Sequence, residues 1–334
     1  MYIFTIAALL AMGWAGRKYY RMVFFPNVTK PAVIYLQPGF NFKQVDSLLL
    51  VRQIIQDDDA FRFTAKLMKY PEHIKAGKYT LTEGMSNRSL LNLLRTGTQT
   101  PVRLVINKKH TLDELADYLS PQFSFSRSAF MQTLNDTALI HHFGFNKHTL
   151  IAMFIPNTYE VWWTASPENL LRRMKKEYDR FWNSERLSRA KALQLNPVEV
   201  ITLASIVDEE TAKNDEKPII AGLYLNRLKR GIPLQSDPTL KYAHHHFEWK
   251  RIYNRYKKIV NPYNTYKYKG LPPGPICIPQ ISSIEAVLYA DDNDYIFMCA
   301  KEDFSGYHNF ARTNAEHERN RKKYIRALNK RGIK

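Results

Sequence analysis

The chain has 334 residues, 45% of them apolar and 24% charged, which excludes a wholly disordered or low-complexity protein. Its 49 lysines and arginines against 31 acids give a net charge of +18. That excess excludes no fold and favours a polyanionic neighbour: nucleic acid, an anionic membrane surface or an acidic cell-wall polymer. The only cysteines are Cys277 and Cys299, with no CxxC, so a disulfide scaffold, a zinc ribbon and a thioredoxin-like site are excluded. One disulfide or two unpaired thiols both remain open.

At roughly 100–200 residues per domain, the length suits two domains. Met1 to Gly16 carry no charge and are mostly apolar; Arg17, Lys18 and Arg21 follow. Sixteen residues fall short of the roughly 20 that span a bilayer, but Tyr19, Tyr20 and Met22 to Phe25 extend the run, so we expect a retained membrane anchor over 1–25. A cleaved signal peptide and a buried helix are the competing readings. Over 26–150 the pattern is that of a small α+β module with a helical linker. A strand is expected at Ala32–Leu36, a helix at Gln44–Asp57 and a strand at Ala76–Leu81 with a turn at Glu83-Gly84. Ser86 caps a helix to Arg95 that Gly97 stops. Val102–Ile106 alternates as a strand, and Thr111 caps a helix with Glu114 at its third position.

The second domain, 151–334, holds the densest chemistry. Asn196-Pro197-Val198-Glu199 is a helix start, with Asn as cap and Pro in the first turn. The helix continues through ITLASIVDEETAK, with Val200, Leu203, Ala204 and Val207 on one apolar face. Helical spacing then makes Glu209 the solvent-facing acid and puts Asp208 and Glu210 at the stripe boundary, where partial burial raises a carboxyl pKa. A second helix, Pro218–Arg230, carries Asn226 and Arg227 near its end. The loop GIPLQSDPT comes next, and five of the chain's 17 prolines fall within 262–279. Such a stiffened loop, carrying Tyr263, Asn264, Thr265 and Tyr266, suits a polyhydroxylated ligand. His244–His246 are adjacent and point apart, so no metal is expected. The basic tail after His317 reads as a solvated terminal helix.

Taken in order, ASIVDEET (204–211), NRL (226–228), LQSDPT (234–239), YNTY (263–266), GLPPGPI (270–276) and His308-x-Phe310-x-x-Thr313-x-x-Glu316-His317 resemble the endolytic murein transglycosylase, or YceG-like, family. FIPNTYE (154–160) is similar to that family's FPDTYE stretch. The resemblance implies an α+β protein with an N-terminal anchor, a LysM-like module and a catalytic domain whose catalytic Glu lies on a helix. It carries the catalytic Glu of an E-T pair onto Glu210-Thr211. The chain departs from the family's ASIVEKET at Asp208 and Glu209, and the extra acid would push the Glu210 pKa further up.

The resemblance also implies a lyase that cuts the β-1,4 bond between N-acetylmuramic acid and N-acetylglucosamine without water, leaving 1,6-anhydro ends and ending strand growth. One carboxyl group serves as acid and then base, so no cofactor and no metal are needed. Gln235, Ser236, Asp237, Tyr263, Asn264, Thr265 and Tyr266 would line the glycan groove. Asn226 and Arg227 would either hold the Glu helix or meet peptide-stem carboxylates. The expected partners are peptidoglycan strands, cytoplasmic-membrane lipid and peptidoglycan synthases, with the body on the outer face of the inner membrane. Two rival classes are a non-catalytic glycan-binding scaffold and a basic nucleic-acid-binding protein. No helix-turn-helix, RRM or zinc-finger pattern supports the second, and nucleic acid is not an expected partner.

Overall fold

The computed structural model describes residues 2–249 and 251–332. The chain divides into two compact units: Met1–Leu104 with Leu119–Ser126 and Tyr159–Ser166, and Val105–Tyr118 with Arg127–Thr158 and Pro167–Lys334. The architecture is mixed α+β, with two-stranded sheets among many helices.

In the first unit, α1 (Tyr2–Phe24) leads into β1 (Ala32–Leu36), α2 (Phe42–Val51), α3 (Asp58–Leu67), β2 (Gly77–Leu81) and α4 (Asn87–Thr96). β1 and β2 pair antiparallel from Ala32↔Leu81 to Leu36↔Gly77. Their alternating inward residues Ile34, Leu36, Tyr79 and Leu81 join Val45, Leu49, Phe61, Leu90, Leu91 and Leu94 in one core. Ser86 caps α4, and Gly97 ends it with a left-handed φ of 73°. The helix expected at 44–57 ends at Val51, and a separate helix, α3, starts only at Asp58. Gln53 turns to a φ of 51°, and Asp57 then caps α3 by accepting the Ala60 N–H.

α1 runs unbroken through the apolar stretch and through Arg17, Lys18 and Arg21. Among the described residues no helix is long and apolar enough to cross a membrane. The expected spanning anchor therefore finds no support, because three cations sit inside the helix that would have to supply it. Met1 lies outside the described residues. The C-terminal end of α1 is fixed within its unit: Thr64 Oγ1 and Asn87 Nδ2 both donate to the Met22 carbonyl, at 3.0 and 2.8 Å.

β3 (Val102–Ile106) pairs with β4 (Asn157–Val161), the strand formed at the FIPNTYE segment. Between them lie α5 (Leu112–Leu119), α6 (Arg127–Leu134) and α7 (Thr137–His142). Thr111 caps α5 through the Glu114 N–H, while the Glu114 carboxylate reaches the His110 N–H instead of closing the box on Thr111. The second unit continues with α8 (Pro167–Phe181), α9 (Ser184–Ala192), α10 (Pro197–Glu210), α11 (Lys217–Lys229), α12 (Asp237–His244) and α13 (Ile281–Leu288). Last come β5 (Phe297–Ala300), β6 (His308–Ala311) and α14 (Asn314–Lys330). β5 and β6 form an antiparallel ribbon from Phe297↔Ala311 to Ala300↔His308, and α14 packs on it. α14 is the expected exposed terminal helix, opened by a Thr313/Glu316 capping box.

Candidate functional site

α10 is the axis of the second unit. Asn196 and Glu199 close a capping box at its start, with Pro197 in the first turn where its missing N–H costs nothing. α9, α11, α12 and α13 all pack against it. Every residue from Val200 to Asp208 is consequently buried, so α10 has no solvent face along that stretch. The helix stops at Glu210, earlier than its pattern suggests, and Thr211 caps it in extended conformation.

That burial corrects the reading of the three acids. Glu209 does not face solvent. Lys108, from the segment after β3, places its ammonium 2.6 Å from Asp208 Oδ2 and 2.9 Å from Glu209 Oε1. His110 Nε2 lies 3.5 Å from the same Glu209 oxygen. Asp208 is buried; Lys217 of α11 reaches its Oδ1 at 3.2 Å and Ser283 of α13 donates to it at 2.6 Å. Burial opposes the charge on both acids, but these partners outweigh it. The Asp208 carboxyl is held below its ordinary value, and Glu209 comes down to about 2. Lys217 completes its donors on Gln280 Oε1 and Ser282 Oγ. Asp208, Glu209 and Cys277 bring potential metal-ligand atoms within 4.8 Å of one another. The Lys108 ammonium already supplies the positive charge between the two acids.

Glu210 has a different environment. It keeps an accessible face, yet burial raises its carboxyl above the ordinary range. No lysine or arginine is bonded to it among the described residues. Its Oε1 accepts two hydroxyls, from Ser236 at 2.5 Å and from Tyr224 of α11 at 2.7 Å. Both favour the charged form but do not overcome desolvation. The nearby charge of Asp237 raises it further, while His308 on β6 acts the other way. The like charge on Glu210 therefore comes from Asp237 at the start of α12, and not from the adjacent acids, which Lys108 neutralises. The negative end of the α10 dipole adds to the cost of a charge here. With Oε1 committed to two donors, Oε2 is the oxygen free to carry a proton.

The remaining expected site residues separate into two groups. Ser236 is buried: its N–H donates to Thr265 Oγ1 at 3.0 Å, and its carbonyl accepts from Thr239. Thr265 is buried beneath it and also accepts the Gln235 N–H on its carbonyl. Asn264 is fully buried and spends its amide on the carbonyls of Lys257 and Ile259, both at 2.9 Å. Tyr263 is buried against Tyr242, ring centroids 4.5 Å apart. The side chains of Tyr263, Asn264 and Thr265 build the loop and do not face a groove, while the Ser236 hydroxyl is spent on Glu210. Tyr266 is half-buried and donates its hydroxyl to Asp237 Oδ1 at 2.6 Å; Asp237 and Gln235 are exposed. So from the Ser236–Asp237 turn and the Tyr263–Tyr266 loop, only Gln235, Asp237 and Tyr266 meet solvent beside Glu210.

Arg227 and Asn226 hold loops. Each of the three Arg227 nitrogens donates to a protein oxygen: Pro233 O, Ile296 O and Gln235 Oε1, at 2.6–2.9 Å. The guanidinium is buried, which lowers its pKa. Asn226 donates to the carbonyls of Asn293 and Tyr295. Both therefore brace the segments around Glu210. Glu216, also buried, accepts the His308 backbone N–H at 2.7 Å and faces its Nδ1 at 2.9 Å, which fixes the imidazole beside the site.

Tyr224, Lys108, Lys217 and Glu216 were not singled out from sequence. Tyr224 falls on the apolar stripe of α11 and reads as core; Lys108 is a hundred residues from its partners. Cys277 is buried and Cys299 half-buried, and both are free thiols. His244 Nε2 meets the Tyr256 carbonyl and His246 Nδ1 meets Glu248, so both rings are bonded to protein groups.

Fold and site together define a mixed α+β protein built around a half-buried, hydroxyl-bonded carboxyl group at a helix end. The chain belongs to the YceG-like family, whose profile matches residues 34–323. It is 29% identical over 312 residues to an endolytic murein transglycosylase of Bacillus subtilis, covering 89% of this chain and 85% of that one. A Streptococcus pneumoniae protein of the same name is 28% identical over 352 residues, across 96% of this chain; the chain spans 63% of that relative's length. The crystal structure of a yceG-like protein from Listeria monocytogenes superposes with a TM-score of 0.58 at 26% identity, covering 87% of this chain and 98% of that one.

Proposed function

We propose that this protein is a peptidoglycan lytic transglycosylase in which Glu210 is both acid and base. The observation that carries this reading is the contrast among three consecutive acids. Asp208 and Glu209 are neutralised by Lys108, whereas Glu210 is desolvated, bonded only to hydroxyls and raised. A raised carboxyl stays protonated nearer neutral pH, as a general acid must. The names of the relatives supply the substrate class.

The chemistry balances with one carboxyl. Glu210 Oε2 gives its proton to the oxygen between N-acetylmuramic acid and N-acetylglucosamine, and the C1–O bond breaks. The muramic C6 hydroxyl attacks C1 and its proton returns to Glu210, leaving a 1,6-anhydro end. Intramolecular attack gains from proximity and consumes no water. Ser236 and Tyr224 stabilise the carboxylate between the two steps. Asp237 would favour the positive charge developing at C1 and helps keep Glu210 protonated.

This reading puts the action outside the cytoplasmic membrane, where cuts within new strands would end their elongation beside the synthases. The exposed Phe4, Leu9, Leu10 and Trp14 of α1 support association with lipid, for which carbonate extraction is the test.

Mass spectrometry of murein digested in heavy-oxygen water tests the chemistry. Anhydro ends without label are expected. Labelled reducing ends would favour a two-carboxylate hydrolase using Asp237.

A further inference from the structure

Between Arg251 and Lys269 the chain carries six lysines and arginines, and no acid occurs from Trp249 to Ile284. Among the described residues none of these cations forms an ion pair, although arginines and lysines elsewhere in the chain do so repeatedly. Four of them stand over aromatic rings, among them Arg255, 4.8 Å from the Tyr256 ring centroid, and Lys257, 4.2 Å from that of Tyr266. Arg255, Lys258, Lys267 and Lys269 are exposed.

The segment is not a loose tail. Asn264 ties down the carbonyls of Lys257 and Ile259, and Asn261 Nδ2 donates to the Ala243 carbonyl at 3.3 Å. The same stretch contributes Val260, Asn261, Pro262 and Tyr268 to a groove of about 470 Å³ that Leu271 and Pro273 complete. Val260 is 76% exposed in its wall. A pre-ordered, mostly apolar groove on a segment whose cations form no ion pair among the described residues complements a short ligand with small apolar side chains and several carboxylates.

The strap is also continuous with the catalytic turn. Lys257 packs on Tyr266, Tyr266 bonds Asp237, and the neighbouring Ser236 holds Glu210.

Resting on the function proposed above, we infer that the strap from Arg251 to Lys269 binds the acidic peptide stem carried by the glycan strand, so that the enzyme selects strands whose stems are present. The stem is attached to the muramic sugar whose C1 reacts. One sugar therefore positions the bond while its own peptide anchors the strand. Because the cations are exposed, the attraction is screened and falls with salt.

The test uses the full chain with Glu210→Gln, to avoid turnover, and measures equilibrium binding to purified strands with intact stems and to the same strands stripped by an amidase. The triple variant Arg255→Gln, Lys258→Gln and Lys267→Gln is compared in that background, with melting temperature as the control for folding. The expected result is about a tenfold weaker Kd for stem-bearing strands, from three exposed charge contacts, with stripped strands bound equally by both proteins. Equal binding of stem-bearing strands by both proteins, or an equal loss on both strand types, overturns the assignment. A loss confined to anionic lipid vesicles overturns it in favour of a membrane contact. If neither protein binds either strand type, the proposed function itself falls.

Discussion

Lys217→Met removes a fully buried ammonium without changing the length of the side chain much. The ammonium lies 3.2 Å from Asp208 Oδ1, with side-chain exposures of 2% and 1% for the two residues. Breaking a buried pair from one side costs about 3–5 kcal/mol, because the remaining charge is stranded. Here Asp208 keeps Lys108 at 2.6 Å and the Ser283 hydroxyl, so it is not stranded. Gln280 and Ser282 lose a donor but face each other at 3.3 Å and are partly solvated. The expected loss is therefore near the lower bound, about 3 kcal/mol, read from urea denaturation followed by circular dichroism. The folded Asp208 carboxyl lies below its ordinary value, so the stabilisation it carries is full above the ordinary carboxylate range and is lost as pH falls from there through the lowered folded value. The gap between the two proteins should be full at pH 7 and narrow in acid. A loss under about 1 kcal/mol at pH 7, or a gap that widens in acid, would refute the reading that Lys217 helps to hold the buried Asp208 carboxyl in its charged form.

Gly274 has no room for a methyl group: a Cβ there would sit 2.0 Å from the His148 carbonyl oxygen, a backbone atom. Gly274→Ala should cost about 1–3 kcal/mol or more, visible as a lowered melting temperature, and an unchanged value would mean that the 270–276 loop moves freely. Ser236→Ala takes one donor from the Glu210 carboxylate, so the carboxyl should rise further and the high-pH limb of kcat should move upward; a downward shift would contradict the role given to that hydroxyl. Thr313→Ala opens the capping box of α14 and should cost about 1 kcal/mol with little change in turnover.

Local chemistry was legible in the sequence wherever one or two residues decide the outcome. Asn196 with Glu199, Ser86 and Gly97 all end or begin helices where their side-chain chemistry requires. The helix expected across 44–57 failed because apolar spacing continued through a left-handed turn at Gln53 that no glycine announces. Glu209 departs from its expected solvent position because periodicity ranks the faces of a helix without knowing how many neighbours surround it; with partners on every side, α10 has no outside from Val200 to Asp208. Tyr263, Asn264 and Thr265 look like sugar-binding residues by type, but Asn264 and Thr265 spend their hydrogen bonds in building a tight turn and Tyr263 is buried against Tyr242. Arg227 offers a charge in sequence and a three-way loop clamp in space. The pairing of Lys108 with Asp208 and Glu209 spans a hundred residues and leaves no pattern in the chain.

The role of Glu210 is tested most directly by turnover of purified peptidoglycan strands by Glu210→Gln, set beside Asp208→Asn and Glu209→Gln, with each protein shown to be folded by its melting curve. Glu210→Gln should lose release of anhydro-muropeptides by at least about a thousandfold, while Glu209→Gln retains most of it. Undiminished release by Glu210→Gln, or a greater loss from Glu209→Gln, would contradict the assignment of Glu210 as the acid and base.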